Sequence, residues 1–325
     1  MDAHHASLQI IADLLAEHTG QHLTESRRWR VSSALAGVFR EHGISNADQL
    51  VCLLEGQRTM AARRKLIRQI VEALLNNETY FFRDKPTFDQ LPDVILPNIA
   101  RKRADTRRIS IWCAGCSTGQ EVHSLAMVFA DNPERWHGWT IDLLGTDVSE
   151  RAVDAARGGL YSQFEVQRGL GVIEMLRHFD ETNEGWQVRD ATRQITRFQT
   201  HNVLDEPPAR ARFDLVLCRN VLLYFDQHTR ERAFARLASA MNTDGFLMLG
   251  SGETVVGQTS AFVPVPDRAS LYELRQCGAA RSASEAELAD ARSAAEERAA
   301  LLAAARDALS AEEAATLEAQ RQTEL

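Results

Sequence analysis

One stretch of the chain, residues 109–124, constrains the fold more than any other. Ile109 and Ile111 alternate with their neighbours as in a strand, small residues fill positions 114–119, and an apolar pattern at helical spacing follows from Val122. A strand, a glycine-rich turn and a helix in this order are typical of nucleotide sites in parallel α/β sheets. Glycine lets the backbone approach a ligand, and the start of the helix offers unpaired N–H groups. Gly115 is therefore a candidate ligand-binding residue.

This turn alone leaves three interpretations open. Its spacing lacks the full Gly-x-Gly-x-x-Gly fingerprint, which argues against a dinucleotide oxidoreductase, and it lacks the Gly-Lys-Ser/Thr of a phosphate loop. Cys113 and Cys116 form a C-x-x-C pair after a tryptophan, a pattern also found in thioredoxin-like redox sites. The stretch can thus be a nucleotide or adenosyl site, a redox site, or a tight turn with no ligand.

Length, charge and cysteine content narrow the class of protein. At 325 residues the chain is long enough for more than one domain. A net charge of −8 argues against general nucleic-acid binding. No basic N-terminal region precedes an apolar one, and no apolar run approaches the roughly 20 residues of a membrane helix, so we expect neither a signal peptide nor membrane insertion. The five cysteines, an odd number, favour a reducing cytoplasm.

The residue pattern predicts four parts. Residues 1–76 carry apolar stripes at helical spacing and are predicted to form an all-helical domain. Residues 77–90 form a linker, and residues 91–277 alternate strand and helix patterns. Residues 278–325 are rich in alanine and acids and are predicted to be a helical tail, whose weak heptad leaves a solvated helix and a coiled coil both open.

The last helix of the N-terminal domain carries a run of bases. Five bases lie within eleven residues with no acid among them, and four are candidates for contacting a partner: Arg58, Arg64, Lys65 and Arg68. They can form a solvated helix face or a docking surface for an acidic partner. The linker is also unusual, because Tyr80, Phe81 and Phe82 are consecutive aromatics. They can plug the space between two domains or belong to a segment that closes over a ligand.

From residue 91 the alternation of strand and helix predicts a doubly wound parallel sheet. A last β pair is expected to include 262–264 and 271–274. The stretch 158–204 interrupts the alternation, and we interpret it as a small antiparallel β insertion. Within it, 185–188 and 194–199 are predicted to pair with each other.

Polar residues follow two further strands of the predicted sheet. Asp147 ends the strand after the glycine turn, where a carboxylate can accept both ribose hydroxyls of an adenosyl ligand. Arg219 and Asn220 end a later strand. Ligands of open α/β sheets bind outside these strand ends, so the three ends should converge on one crevice. A redox site would not require that convergence.

Five motifs occur in order along the chain: Asn77-Glu-Thr-Tyr-Phe-Phe-Arg, Cys116-Ser-Thr-Gly-Gln-Glu-Val-His-Ser, Gly145-Thr-Asp, Cys218-Arg-Asn-Val-Leu-Leu-Tyr-Phe-Asp and Gly245-Phe-Leu-Met-Leu-Gly-Ser-Gly-Glu. Together they closely resemble the bacterial chemotaxis receptor methyltransferases, the CheR family, over roughly residues 8–275. The resemblance implies a class I (Rossmann-like) methyltransferase fold. It also implies an enzyme that uses S-adenosylmethionine to methylate glutamate side chains on receptor signalling helices, leaving S-adenosylhomocysteine.

By position in the family, the resemblance implies that nine residues bind the cofactor: Asn77, Thr79, Arg83, Glu121, Asp147, Asn202, Val203, Arg219 and Asn220. Gly115 of the glycine turn is the tenth candidate. The family usually has Gly-Glu-Glu-Pro-Tyr-Ser where this chain has Gly-Gln-Glu-Val-His-Ser, so Val122 and His123 leave the start of the helix uncertain. His123 has no partner at metal-ligand spacing, and no metal is expected.

The implied chemistry is an in-line displacement at a sulfonium methyl. A glutamate with an ordinary pKa of about 4.3 is ionised at neutral pH, so orientation and removal of water matter more than a general base. Arg83 is the candidate to hold the incoming carboxylate bidentately. Tyr224 is the candidate to donate it a hydrogen bond or to line the methyl site, although packing against Phe225 is an alternative role.

The β insertion corresponds to a subdomain that in some family members binds a receptor C-terminal peptide. Those members carry a longer glycine-containing loop than the short turn at 180–185, so we expect no tight peptide tethering here. Two other functions stay open. One is S-adenosylmethionine-dependent methylation of another protein or a small molecule, and the other is a non-catalytic adenosyl-binding adaptor.

Overall fold

A computed structural model describes residues 3–23, 30–208 and 212–275. The predicted tail, residues 278–325, lies outside the described residues. The part before residue 76 is helical, and its segments are α1 (Ala3–Thr19), α2 (Val31–Ala34), α3 (Ala36–His42), α4 (Ala47–Glu55) and α5 (Met60–Leu74). Their apolar stripes pack into one cluster that includes Ile11, Leu35, Leu50 and Ile70. The helical periodicity of the sequence thus corresponds to a buried face.

The part after residue 90 is a layered α/β structure. A short helix, α6 (Lys85–Phe88), precedes it, and a π-helical turn (Leu91–Ile95) leads into the first helix. Its main elements are α7 (Leu96–Lys102), β1 (Arg108–Ala114), α8 (Gln120–Ala130), β2 (Thr140–Asp147), α9 (Glu150–Gly158), β6 (Thr196–Thr200), β7 (Phe213–Cys218), α13 (Gln227–Ala240), β8 (Met241–Leu249), β9 (Phe262–Pro264) and β10 (Leu271–Leu274). Helix α8 begins at Gln120, immediately after the glycine turn, which settles the start that Val122 and His123 left uncertain.

These strands form one seven-stranded sheet in the order β6-β2-β1-β7-β8-β10-β9. β6, β2, β1, β7 and β8 are parallel, and β10 is antiparallel to both β8 and β9. The predicted doubly wound sheet and its last antiparallel pair are confirmed. β1 and β7 are buried almost throughout because helices cover both faces of the sheet. The strand order reverses between β1 and β7, the point where such sheets bind ligands.

A second, three-stranded antiparallel sheet lies within the segment between α9 and β6. It consists of β3 (Leu160–Tyr161), β4 (Phe179–Thr182) and β5 (Gly185–Val188) in the order β3-β5-β4. The accompanying helices are α10 (Gln163–Gln167), α11 (Val172–His178) and α12 (Asp190–Arg193).

The predicted pairing of 185–188 with 194–199 is wrong. β6 instead runs parallel to β2 at the edge of the main sheet, and β5 pairs with β3 and β4. A local alternating pattern marks both segments as strands but does not specify their partners. The β6 partner was missed because it lies about 50 residues earlier in the chain, at Leu143–Asp147. Among the described helices, none combines the length and apolar content needed to cross a membrane.

Candidate active site

The glycine turn begins where β1 ends. Gly115 has φ +79°, and a Cβ placed there would lie 2.3 Å from Cγ2 of Val221. Gly119 has φ +93°, and a Cβ there would lie 2.7 Å from the Cβ of Ala156. Both positions therefore require glycine for conformation and for space. The turn is held to the end of β2, because the N–H groups of Gly115 and Cys116 donate to the Thr146 carbonyl at 2.7 and 2.9 Å.

Asp147 lies at the end of β2, facing this turn. Its Oδ2 accepts from the N–H of Ser117 at 2.8 Å, and its Oδ1 accepts from the N–H of Ser149 at 2.9 Å. Burial raises the pKa of Asp147, and the two N–H donors partly offset that rise. Each carboxylate oxygen can accept more than one hydrogen bond, so the group can still receive hydroxyl donors from a ligand.

The linker residues 77–84 close one side of the cleft. Ser117 Oγ donates to the Asn77 carbonyl at 2.6 Å, which fixes the linker to the glycine turn. The Arg83 guanidinium donates to the Glu78 carbonyl at 3.0 Å and lies over the Tyr80 ring. Asn77, Thr79 and Arg83 line the cleft, and the linker therefore forms one of its walls.

Phe81 anchors the linker from the other side. Its side chain is fully buried and meets Tyr161 and Phe179 edge to face, with ring centroids 5.1 and 5.4 Å apart. Phe82 and Asp84 adopt positive φ values of 50° and 57°, which turn the chain sharply between buried aromatics. Phe81 thus packs against the β insertion, while Asn77, Thr79 and Arg83 of the same linker line the cleft.

Arg219 at the end of β7 is a clamp rather than a freely exposed cation. One Nη donates to Glu121 at 2.7 Å, and the other donates to the Arg83 carbonyl at 2.6 Å and to Asp84 at 3.0 Å. Its side chain is 1% exposed and lies over the Phe88 ring. Arg219 therefore joins α8, the linker and the sheet at the floor of the cleft.

Asn220 follows in a left-handed conformation, with φ 59°. The carboxylate of Glu253 holds it there by accepting four backbone N–H groups, from Asn220 (2.7 Å), Val221 (3.0 Å), Leu222 (2.8 Å) and Gly250 (2.9 Å). The side-chain oxygen of Asn220 is buried and accepts no hydrogen bond from the described residues. A buried acceptor of this kind at a cleft wall is a position for a ligand donor.

The far end of the cleft is formed jointly by the sheet and the helical domain. The Asn202 amide donates to the His18 carbonyl of α1 at 3.1 Å and accepts from the N–H of Leu204 at 3.0 Å. Val203, Val148 and Phe225 supply apolar surface beside it. Tyr224 lies at the mouth, where the Asn76 amide donates to its Oη at 2.9 Å.

All ten residues expected to bind the cofactor, and Tyr224, line this one cleft, which encloses about 760 Å³ out to its open mouth. They come from the linker, from the first turn of α8, and from the ends of β1, β2, β6 and β7 with the segments that follow them. Cys113 and Cys116 are free and buried, and burial raises the pKa of both thiols well above the usual value. Because the thiolate is the reactive form, the redox interpretation is rejected.

Residues 77–270 match the family model described as the CheR methyltransferase SAM-binding domain. The chain belongs to the CheR methyltransferase family. Its relatives include chemotaxis protein methyltransferase 1 of Pseudomonas aeruginosa, 31% identical over 85% of this chain and 97% of the relative. A chemotaxis protein methyltransferase of Vibrio parahaemolyticus is 30% identical over 76% of this chain and 89% of its own length. Chemotaxis protein methyltransferase Cher2 of Pseudomonas putida is 32% identical over 78% of this chain and 89% of its own length.

This CheR-family chain is an S-adenosylmethionine-dependent methyltransferase, and the cleft fits that cofactor. The Asp147 carboxylate is suited to a ribose diol, and the unpaired Asn220 oxygen to an ammonium donor. The apolar surface of Val148, Val203 and Phe225 is suited to an adenine ring.

Several cleft residues were not identified from the sequence. Glu253 ends one of the quoted motifs, but its spacing gave no indication that it accepts four N–H groups. Thr19 and Gln21 line the cleft from the end of α1, and Asp84 supports Arg219. No local pattern could have assigned them, because their roles depend on how the helical domain packs against the sheet.

Proposed function

We propose that this enzyme transfers a methyl group from S-adenosylmethionine to glutamate side chains on the signalling helices of chemotaxis receptors, in the cytoplasm. The observation that carries the proposal is the convergence of eleven expected residues on one cleft. Chemotaxis is what the names of the relatives state, and glutamate as the acceptor is our inference from the site and the resemblance.

The residues at the cleft suit a carboxylate acceptor. Bound S-adenosylmethionine supplies an electrophilic methyl on its sulfonium; the acceptor oxygen gains the methyl as the sulfur–methyl bond breaks, leaving S-adenosylhomocysteine. Arg83 offers a guanidinium at the cleft wall, which can hold the ionised carboxylate in line. Tyr224, oriented by Asn76, offers a hydroxyl at the mouth. Orientation and exclusion of water carry the catalysis, since the acceptor needs no base.

A basic surface beside the cleft suits an acidic protein partner. We define it as Arg58, Arg63, Arg64, Lys65 and Arg68, all of which are exposed on or just before α5. Among the residues that the structure describes, none of these five forms an ion pair. Arg68 shares a surface depression with Val148, which also lines the cleft. An acidic helix attracted to this surface would therefore lie beside the cleft.

Radiolabelled methyl transfer to receptor-enriched membranes tests the function. Release of labelled methanol on treatment with base is the signature of a glutamyl methyl ester. The variant Arg64→Glu/Lys65→Glu/Arg68→Glu should lower kcat/KM for receptor about tenfold or more while leaving S-adenosylhomocysteine affinity unchanged. A control, Arg101→Glu/Arg232→Glu/Arg268→Glu, changes the net charge equally at other exposed positions and should retain activity.

The outcomes separate the alternatives. An equal loss in both triple variants would refute the docking role of the basic surface. Methylation of small molecules or other proteins, without ester formation on receptors, would favour a different acceptor. Cofactor binding without any methyl transfer would favour the adaptor.

The four-part domain division remains part of this proposal. So does the absence of tight peptide tethering, which is supported by the two-residue turn, Asn183–Glu184, between β4 and β5. Tight binding of a receptor C-terminal peptide to this hairpin would contradict it.

A further inference from the structure

One carboxylate of the helical domain reaches into the methyltransferase part. Glu72 lies near the end of α5, one turn beyond Arg68 of the basic surface. Its Oε2 accepts from Ser149 Oγ at 2.6 Å, and its Oε1 accepts from the N–H of Glu150 at 2.7 Å. Both donors belong to the segment that starts α9. Glu72 therefore satisfies, from another part of the chain, an N–H group that a helix start leaves without an intrahelical partner.

The same serine contacts the residue expected to bind ribose. Ser149 is the N-cap of α9 and accepts from the N–H of Ala152 at 3.0 Å, while its own N–H donates to Asp147 Oδ1 at 2.9 Å. Asn77 of the linker also donates to Ser149 Oγ, at 3.3 Å. The hydroxyl thus links Glu72, the linker and the helix start, and the backbone of Ser149 fixes one oxygen of Asp147. A chain of two hydrogen bonds joins α5 to the cofactor cleft.

We propose that Glu72 is a positioning residue for the cofactor site, acting through Ser149 on Asp147. Glu72 does not line the cleft itself, so its effect depends on holding the turn 147–149 in the conformation that presents the Asp147 carboxylate. The helix that carries the basic surface thereby contributes to cofactor affinity. A carboxylate suits the role because it accepts both donors at once and carries the negative charge that a helix start favours.

The test is S-adenosylhomocysteine binding by calorimetry, which does not depend on the identity of the methyl acceptor. Glu72→Ala should weaken binding about tenfold, and Glu72→Gln, which keeps one acceptor oxygen, about threefold. The KM for S-adenosylmethionine should rise in parallel, while kcat at saturating cofactor stays within about twofold. Because the Glu72 side chain is only partly buried, the glutamine variant is expected to fold.

The matched control is Glu41→Gln. Glu41 also pairs with a side chain of α5, accepting from Gln69 Nε2 at 2.7 Å, but it does not line the cleft. Its amide variant should bind S-adenosylhomocysteine normally. If Glu72 acts through Ser149, Glu72→Ala should weaken binding little further when Ser149 is already replaced by alanine.

Three results would overturn the proposal. The first is unchanged affinity in Glu72→Ala and Glu72→Gln, even with lowered thermal stability, because that describes a purely structural contact. The second is an equal loss in Glu41→Gln. The third is independent, multiplying losses in the double variant. A failure of receptor methylation with intact S-adenosylhomocysteine binding would instead concern the proposed acceptor.

Discussion

His123 makes the stability of this enzyme sensitive to acid. The ring is buried between Tyr161 and Phe198, with centroids 6.0 and 5.3 Å away. Nε2 lies 3.2 Å from the Ala156 carbonyl, which calls for a hydrogen on Nε2, while Nδ1 is buried without a partner among the described residues. Burial lowers the pKa of His123 from 6.5 to about 4.

This lowered pKa determines the direction and the size of the change in the free energy of unfolding with pH. The unfolded chain takes up the proton near pH 6.5, whereas the folded chain does so only near pH 4. The stabilisation from a neutral His123 is therefore complete above pH 6.5 and is lost as the pH falls toward 4. Linkage gives a loss of about 2 kcal/mol in the free energy of unfolding between pH 7 and pH 5.

The assay is urea denaturation at pH 7 and at pH 5, with tryptophan fluorescence as the measure of unfolding. His123→Phe keeps the ring volume and removes the titration, so its loss of stability between the two pH values should be about 2 kcal/mol smaller than that of the unmodified enzyme. His137→Gln changes an exposed histidine and should leave the loss unchanged. Equal losses in His123→Phe and the unmodified enzyme would refute the reasoning.

Two further substitutions probe the cleft. Gly115→Ala, which forces a positive φ and a clash with Val221, should weaken S-adenosylhomocysteine binding about tenfold or more by calorimetry. The control Gly252→Ala, where no atom lies within 4 Å of the added Cβ, should leave binding unchanged. Equal affinities of the Gly115→Ala and Gly252→Ala variants would contradict the role of Gly115 in the cleft. Glu253→Gln leaves two of four N–H donors without an acceptor, so it should lower the free energy of unfolding by about 2–4 kcal/mol and weaken binding. Unchanged urea midpoint and affinity would count against this role.

Much of the site could be predicted from sequence because strand ends are local features. A buried strand followed by Asp147, or by Arg219 and Asn220, places those residues at one edge of a parallel sheet whatever the remaining details. The seven-stranded sheet confirms that reasoning. The contacts that individual side chains make within the site could not be predicted from the sequence. Arg219 is expected from sequence to bind the cofactor, and only the structure shows that its guanidinium also donates to Glu121 and to the linker.

The sequence by itself determined the order of helices and strands, the turn that demands glycine at position 115, and the family. Each depends on neighbours within a few residues or on ordered motifs. Only the tertiary structure decided that β6 joins the main sheet, that Glu253 shapes the Asn220 turn, and that Glu72 of the helical domain supports Asp147. Those pairings join residues far apart in the chain, and hydrogen-bond partners at such separations are fixed by packing, which no local pattern encodes. Asp147, which holds the glycine turn through the N–H of Ser117, is thereby connected through Ser149 to α5, a helix that ends at Leu74.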